Sequence, residues 1–136
     1  MSKGLKRAVC IILLLFLLIH LLPFCGYYRF HQCAKSGSFV KIRYDSFQTG
    51  ERIDISENEL YEELNRLLAG LQYRGFSLNW PAISPEDKAA ALFLYAENEA
   101  AVLMIQNDTC WIVEEYYRIM LSDPTKLYQY LKDNVG

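Results

Sequence analysis

The chain has 136 residues, 52% hydrophobic and 14% aromatic, enough to build one compact domain but not two separate cores or a wholly disordered chain. Its formal charge of −2 is unevenly spread. Apart from Lys3, Lys6 and Arg7, every charged residue lies beyond residue 28, where acids outnumber bases, and an acidic body argues against nucleic acid as a partner.

The first element is the apolar run from Ala8 to Leu22, interrupted only by His20, with basic residues before it and Pro23, Phe24, Cys25, Gly26, Tyr27 and Tyr28 after it. As a helix it measures about 22 Å to Leu22 and about 31 Å to Tyr28, against a hydrocarbon core of roughly 30 Å. Three fates compete. A cleaved signal peptide wants small residues at −3 and −1, whereas the near frames place Pro23 or Phe24 at −3. A lipoprotein would acylate Cys25, but Phe24 stands where that motif wants a small residue. An uncleaved anchor fits best, with residues 1–28 as basic stub and membrane span and with Tyr27 and Tyr28 at the interface. The basic triplet then holds the amino end in the cytoplasm and puts the rest of the chain outside. A lone span offers no partner for a proton relay, so His20 reads as a neutral residue near the outer interface.

Residues 29–37 show no obvious period and read as a tether, so the folded domain is expected over 38–136. Val40, Ile42 and Tyr44 alternate with charged residues as in a half-buried strand. Ile53 and Ile55 give a second strand after Gln48-Thr49-Gly50, and the pair reads as a hairpin. Ser56-Glu57-Asn58-Glu59 is a capping box that opens a helix. Leu60, Leu64, Leu67, Leu68 and Leu71 form one stripe along it, a core face rather than a zipper in a helix of this length. Gly70 is expected to stop it in a left-handed conformation.

From Tyr73 onward the period returns to two, and the spacing predicts an antiparallel meander: Phe76, Leu78 and Trp80 on one strand, then Ala90–Tyr95, 100–106, 109–113 and 116–120. Ala89-Ala90-Ala91 also suits a helix start. Asn107-Asp108 makes a tight turn, and Asn107-Asp108-Thr109 fits a glycosylation sequon that the turn alone explains. A last helix starts at Ser122 or Asp123 with Pro124 in its first turn, and turns Leu127, Tyr130, Leu131 and Val135 to one side. The predicted fold is α+β: a transmembrane helix, then a two-layer domain of order β-β-α-β-β-β-β-β-α with two helices on one sheet face. That order resembles one half of a TATA-binding-protein-like fold, a likeness that implies no function for an acidic chain.

The layout of residues 38–135 resembles small membrane-anchored or lipid-modified extracytoplasmic proteins of unknown function from Gram-positive bacteria. The capped helix from Ser56 to Gly70 carries the likeness, together with the run Asn107-Asp108-Thr109-Cys110-Trp111-Ile112-Val113-Glu114-Glu115-Tyr116-Tyr117. The resemblance implies an outward-facing domain and brings no catalytic residues.

Residues 38–136 contain no histidine, and no GxGxxG, GxxxxGK[ST], CxxC or HExxH pattern occurs, which removes the usual signatures of nucleophilic, nucleotide and zinc chemistry. Hence no catalytic residue, cofactor or metal site is expected. Glu62-Glu63 and Glu114-Glu115 read as a solvated helix face and a polar turn, because adjacent residues point apart. Cys25, Cys33 and Cys110 would lie outside the membrane, and Cys33–Cys110 is a candidate disulfide between tether and sheet, with Cys25–Cys33 or free thiols as alternatives. The candidate binding residues are Trp111, with Tyr116 and Tyr117 beside it, on the sheet face that two helices leave bare. The function expected is therefore a membrane-anchored, extracytoplasmic interaction or accessory domain for a protein, peptide or envelope component. An envelope enzyme using carboxylates and tyrosines is the alternative. A concave cluster of carboxylates would favour the enzyme, and a flat aromatic patch on the bare face would favour binding.

Overall fold

A computed structural model describes residues 2–55 and 58–135. In chain order it contains α1 (Lys3–Lys35), β1 (Lys41–Ser46), β2 (Arg52–Ile55), α2 (Asn58–Ala69), β3 (Tyr73–Ser77), β4 (Ala89–Tyr95), β5 (Ala100–Gln106), β6 (Thr109–Val113), β7 (Arg118–Leu121) and α3 (Thr125–Asn134). The strands form one antiparallel sheet ordered β2-β1-β4-β5-β6-β7-β3. The chain is thus an α+β protein with a long apolar helix at its amino end, in the predicted element order.

The first helix departs from expectation. Residues 29–35 are not a tether, because α1 continues through Pro23 to Lys35 as one helix. Its end is a Schellman motif. Gly37 adopts φ +69, its N–H reaches Ala34 O, and the Ser38 N–H reaches Cys33 O, satisfying carbonyls that the helix would otherwise leave free. The second half of α1 belongs to the core: Phe30 is 4% exposed and Ala34 2%, and the Tyr27 hydroxyl donates to Leu71 O at 2.8 Å. At Gly26 a Cβ would stand 2.9 Å from Cδ1 of Ile119, so glycine permits the close approach of helix to sheet. The helical layer therefore holds three helices rather than two, with the second half of α1 packed on α2, and α2 on α3.

Leu64, Leu68, Leu71, Leu127 and Leu131 share one core with Ile42, Tyr44, Leu92, Leu94, Leu103, Ile105, Ile112 and Ile119 from one sheet face. Leu67, expected among them, is only half-buried at its edge. The capping residues Ser56 and Glu57 lie outside the described residues. Gly70 ends α2 by donating to the Arg66 and Leu67 carbonyls, without the left-handed conformation expected of it. At α3 the Asp123 carboxylate accepts from Thr125 N at 2.8 Å, and Tyr128 rather than Tyr130 joins the buried face.

The meander is real from β4 to β7, but β3 pairs with β7 at the far edge, not with β4. β3 ends at Ser77 and leaves Leu78 and Trp80 in the following segment, while Tyr116 and Tyr117 lie in the turn before β7. The Ala89-Ala90-Ala91 run is strand, since Ala90 sits in the core opposite Ile105. Successive antiparallel pairings make β3 and β4 point the same way, so residues 78–88 must return along the sheet. Their route is fixed by Gln106, whose amide donates to Ala82 O at 3.1 Å and to Asp87 at 2.9 Å. Gln106 projects from the helix-free face, as Met104 and Trp111 do. The chain therefore straps that face with its own β3–β4 connection.

Candidate functional site

Burial changes the standing of Trp111. It does project from the helix-free face, as its alternation with Cys110 and Ile112 requires, but it is 3% exposed. The Arg118 guanidinium lies over its ring at 4.6 Å. Tyr116 stands exposed at the tip of the β6–β7 turn, and Tyr117 turns inward, its ring 6.3 Å from that of Phe76. The three residues form no common patch. In a Trp80→Phe variant, acrylamide is expected to leave Trp111 emission almost unquenched, and free quenching would show that Trp111 is not buried.

The candidate Cys33–Cys110 disulfide is absent, and both thiols are free, as in the free-thiol alternative. Cys33 lies by the β4–β5 turn with Glu99 and Ala101, whereas Cys110 pairs with Ile105. The four-residue step from Ala101 to Ile105 spans about 14 Å, twice what a disulfide bridges. Cys110 donates to Ser122 O at 3.3 Å, and burial, reinforced by Asp123, pushes its thiol pKa up to about 12. In detergent-solubilised native protein Cys110 is expected to resist alkylation at mildly alkaline pH and to react only after unfolding.

A concave site that brings carboxylates together lies elsewhere. A cleft of about 250 Å³ opens where α1 meets the β4–β5 turn and the end of β6. Gly26, Arg29, Phe30 and Cys33 line it from α1, Glu99 from the turn, Glu114 from the end of β6, and Phe39 and Ile112 form an apolar floor. Helical spacing presents Gly26, Arg29, Phe30 and Cys33 on one side of α1, and the β4–β5 hairpin brings Glu99 to face them. Burial raises the Glu114 pKa, Arg29 opposes the shift, and the negative charge of Glu99 adds to it. Burial and Glu99 likewise raise the pKa of Cys33, which keeps it a thiol rather than a reactive thiolate.

The arrangement is two carboxylates and one guanidinium over an apolar floor, in a space below the roughly 300 Å³ at which small-molecule pockets begin. It has room for one side chain or a small polar headgroup. Among the described residues no group of three or more His, Cys, Asp or Glu side chains is placed to hold a metal ion. Sequence reading missed the cleft because it took Glu114 as a turn residue and Arg29 as tether, and left Glu99 between two strands without a role. The signal that could have found it was the helical spacing of Gly26, Arg29, Phe30 and Cys33.

No family model matches the chain, and neither does any curated protein or solved structure.

Proposed function

We propose that the protein is a membrane-anchored interaction or accessory domain that uses the cleft between α1 and the sheet to hold a protein or peptide segment presenting a cationic side chain. One observation carries the anchored part. The first half of α1 is exposed, apolar and covered by nothing in the fold, while its second half is core. Cleavage after Cys25 or Gly26 would cut the helix just before Phe30 and remove the buried Pro23 and the ring contacts of His20 and Phe24 with Phe76 and Tyr73, which favours retention of the span over a cleaved signal. Lys3, Lys6 and Arg7 favour a cytoplasmic amino end and an extracytoplasmic domain.

The binding part rests on the charge and size of the cleft: two carboxylates outweigh Arg29, and the apolar floor suits the methylene stem of a lysine or arginine. The test is a photo-crosslinking residue in place of Ala100, at the cleft rim, with the chain expressed in its native membrane. The expected result is a discrete adduct that disappears with Glu99→Lys and Glu114→Gln together. An adduct pattern indifferent to both changes contradicts the assignment.

The pair of carboxylates in one cleft also favours the second reading, an envelope enzyme that uses one protonated and one ionised acid. Turnover of envelope glycans or peptides by the purified chain, abolished by Glu114→Gln with the fold intact, would select it over binding.

A further inference from the structure

We infer that edge strand β3 and the residues following it lie in the headgroup layer of the membrane that α1 crosses, so that the domain is seated on lipid instead of being held away from it. This rests on the anchored reading. It goes beyond that reading by fixing which part of the domain meets the bilayer.

The helix is unbroken from Lys3 to Lys35, so depth along it can be counted. Arg7 is the last charge before the apolar run and marks one boundary of the hydrocarbon. A core of about 30 Å takes roughly 20 helical residues, which places the other boundary near Tyr27. Helix tilt would move that boundary further toward the domain. Yet the domain already touches α1 below this level: the Phe76 ring lies 5.7 Å from that of His20, and the Tyr73 ring lies 5.5 Å from Phe24 and 5.6 Å from Tyr27. No linker separates them. His20 lies about 10 Å below that level, and a strand edge cannot sit in hydrocarbon, so the lipid must thin against the domain and bring its headgroups down to β3.

The surface at that level has the matching chemistry. Leu78 is 68% exposed, Trp80 50% and Tyr116 75%, although the fold has a core in which to place such side chains. Leu78 and Trp80 follow directly on the end of β3, within about 11 Å of Ser77, and Tyr116 belongs to the turn leading into β7, the strand beside β3. Tryptophan and tyrosine concentrate where one end of a side chain meets hydrocarbon and the other meets water. Arg74, exposed on β3, suits lipid phosphates. Asn79 and Glu115, set among the apolar residues, hold the contact at headgroup depth, since an acid in the acyl region is costly.

Trp80 reports its own depth. The full chain is reconstituted in phosphatidylcholine vesicles, with or without bromine on the acyl chains just below the headgroups, and the Trp80 signal is taken as the difference between wild type and Trp80→Phe. Only an exposed side chain is altered, so Trp111 and the fold are left in place. The expected result is a blue-shifted Trp80 component that is lost in brominated vesicles, with Trp111 emission unchanged. A Trp80 component indifferent to bromine but quenched by aqueous acrylamide overturns the inference, and one shielded from both overturns it in favour of a second protein on this surface. A Leu14→Trp reporter in the Trp80→Phe background separates the two readings. If lipid brominated deep in the acyl chains quenches it while Trp80 is untouched, the anchor stands and the seating fails. If it is not quenched, the anchored reading falls and the seating with it.

Discussion

Replacing Phe30 by alanine is expected to destabilise the domain by about 3–5 kcal/mol, read as a fall in the denaturant midpoint of the detergent-solubilised full chain. The ring is almost completely buried and lies 5.7 Å from that of Phe39, at the junction of α1 with the start of β1. Truncation therefore removes contacts to both layers and leaves a cavity that a rigid helix end cannot collapse to fill. Gln32→Ala, on the exposed side of the same helix turn, is expected to change stability by less than about 0.5 kcal/mol. The contrast between the two substitutions separates a docked helix from a linker. Equal, small effects would mean that residues 29–35 contribute nothing to the fold.

Asn65→Leu is expected to cost more than its position in an amphipathic helix suggests. Asn65 is buried in α2, where its Oδ1 accepts from Phe39 N at 3.3 Å and its Nδ2 donates to Phe39 O at 2.9 Å and to Tyr61 O at 2.8 Å. One side chain thus satisfies both backbone groups of a buried residue just before β1. Leucine would bury apolar surface but orphan the Phe39 N–H and C=O, at about 1–3 kcal/mol for each. Asn65→Asp keeps the acceptor for Phe39 N yet turns a carboxylate toward two carbonyl oxygens, so it should be no better tolerated. Thermal unfolding of the two variants beside wild type checks this. Near-wild-type stability of either would show that the Phe39 backbone finds other partners.

These two residues also mark where the sequence was and was not legible. Local patterns reported local structure well: the alternation and turn at 100–113 placed β5 and β6 at the observed residues, and the leucine spacing gave α2 its buried face. Long-range placement had no such signature. Nothing in the composition of β3 says that it pairs with β7, and the crossing of 78–88 over the helix-free face follows only from that pairing. The candidate aromatic patch failed for this reason. Trp111 projects as alternation required, but on that face it is buried, with the Arg118 guanidinium of β7 over its ring. The cleft was hidden by a different cause. Pro23, Tyr27, Phe30 and Ala34 recur at helical spacing, and Gly37 supplies a left-handed helix end, yet Arg29, His31, Gln32 and Lys35 mask the period when the anchor is assumed to stop at Tyr28. Once α1 is carried to Lys35, Arg29 and Cys33 come to face the β4–β5 turn and the site assembles.

Under the proposed function one uncleaved helix serves as both membrane span and third helix of the core. The mass of the mature protein, extracted from its native membrane with detergent, tests this most directly. The expected result is a chain in which residues 3–22 are still joined to the domain. A soluble chain starting beyond Leu22, or an acylated one starting at Cys25, would contradict it.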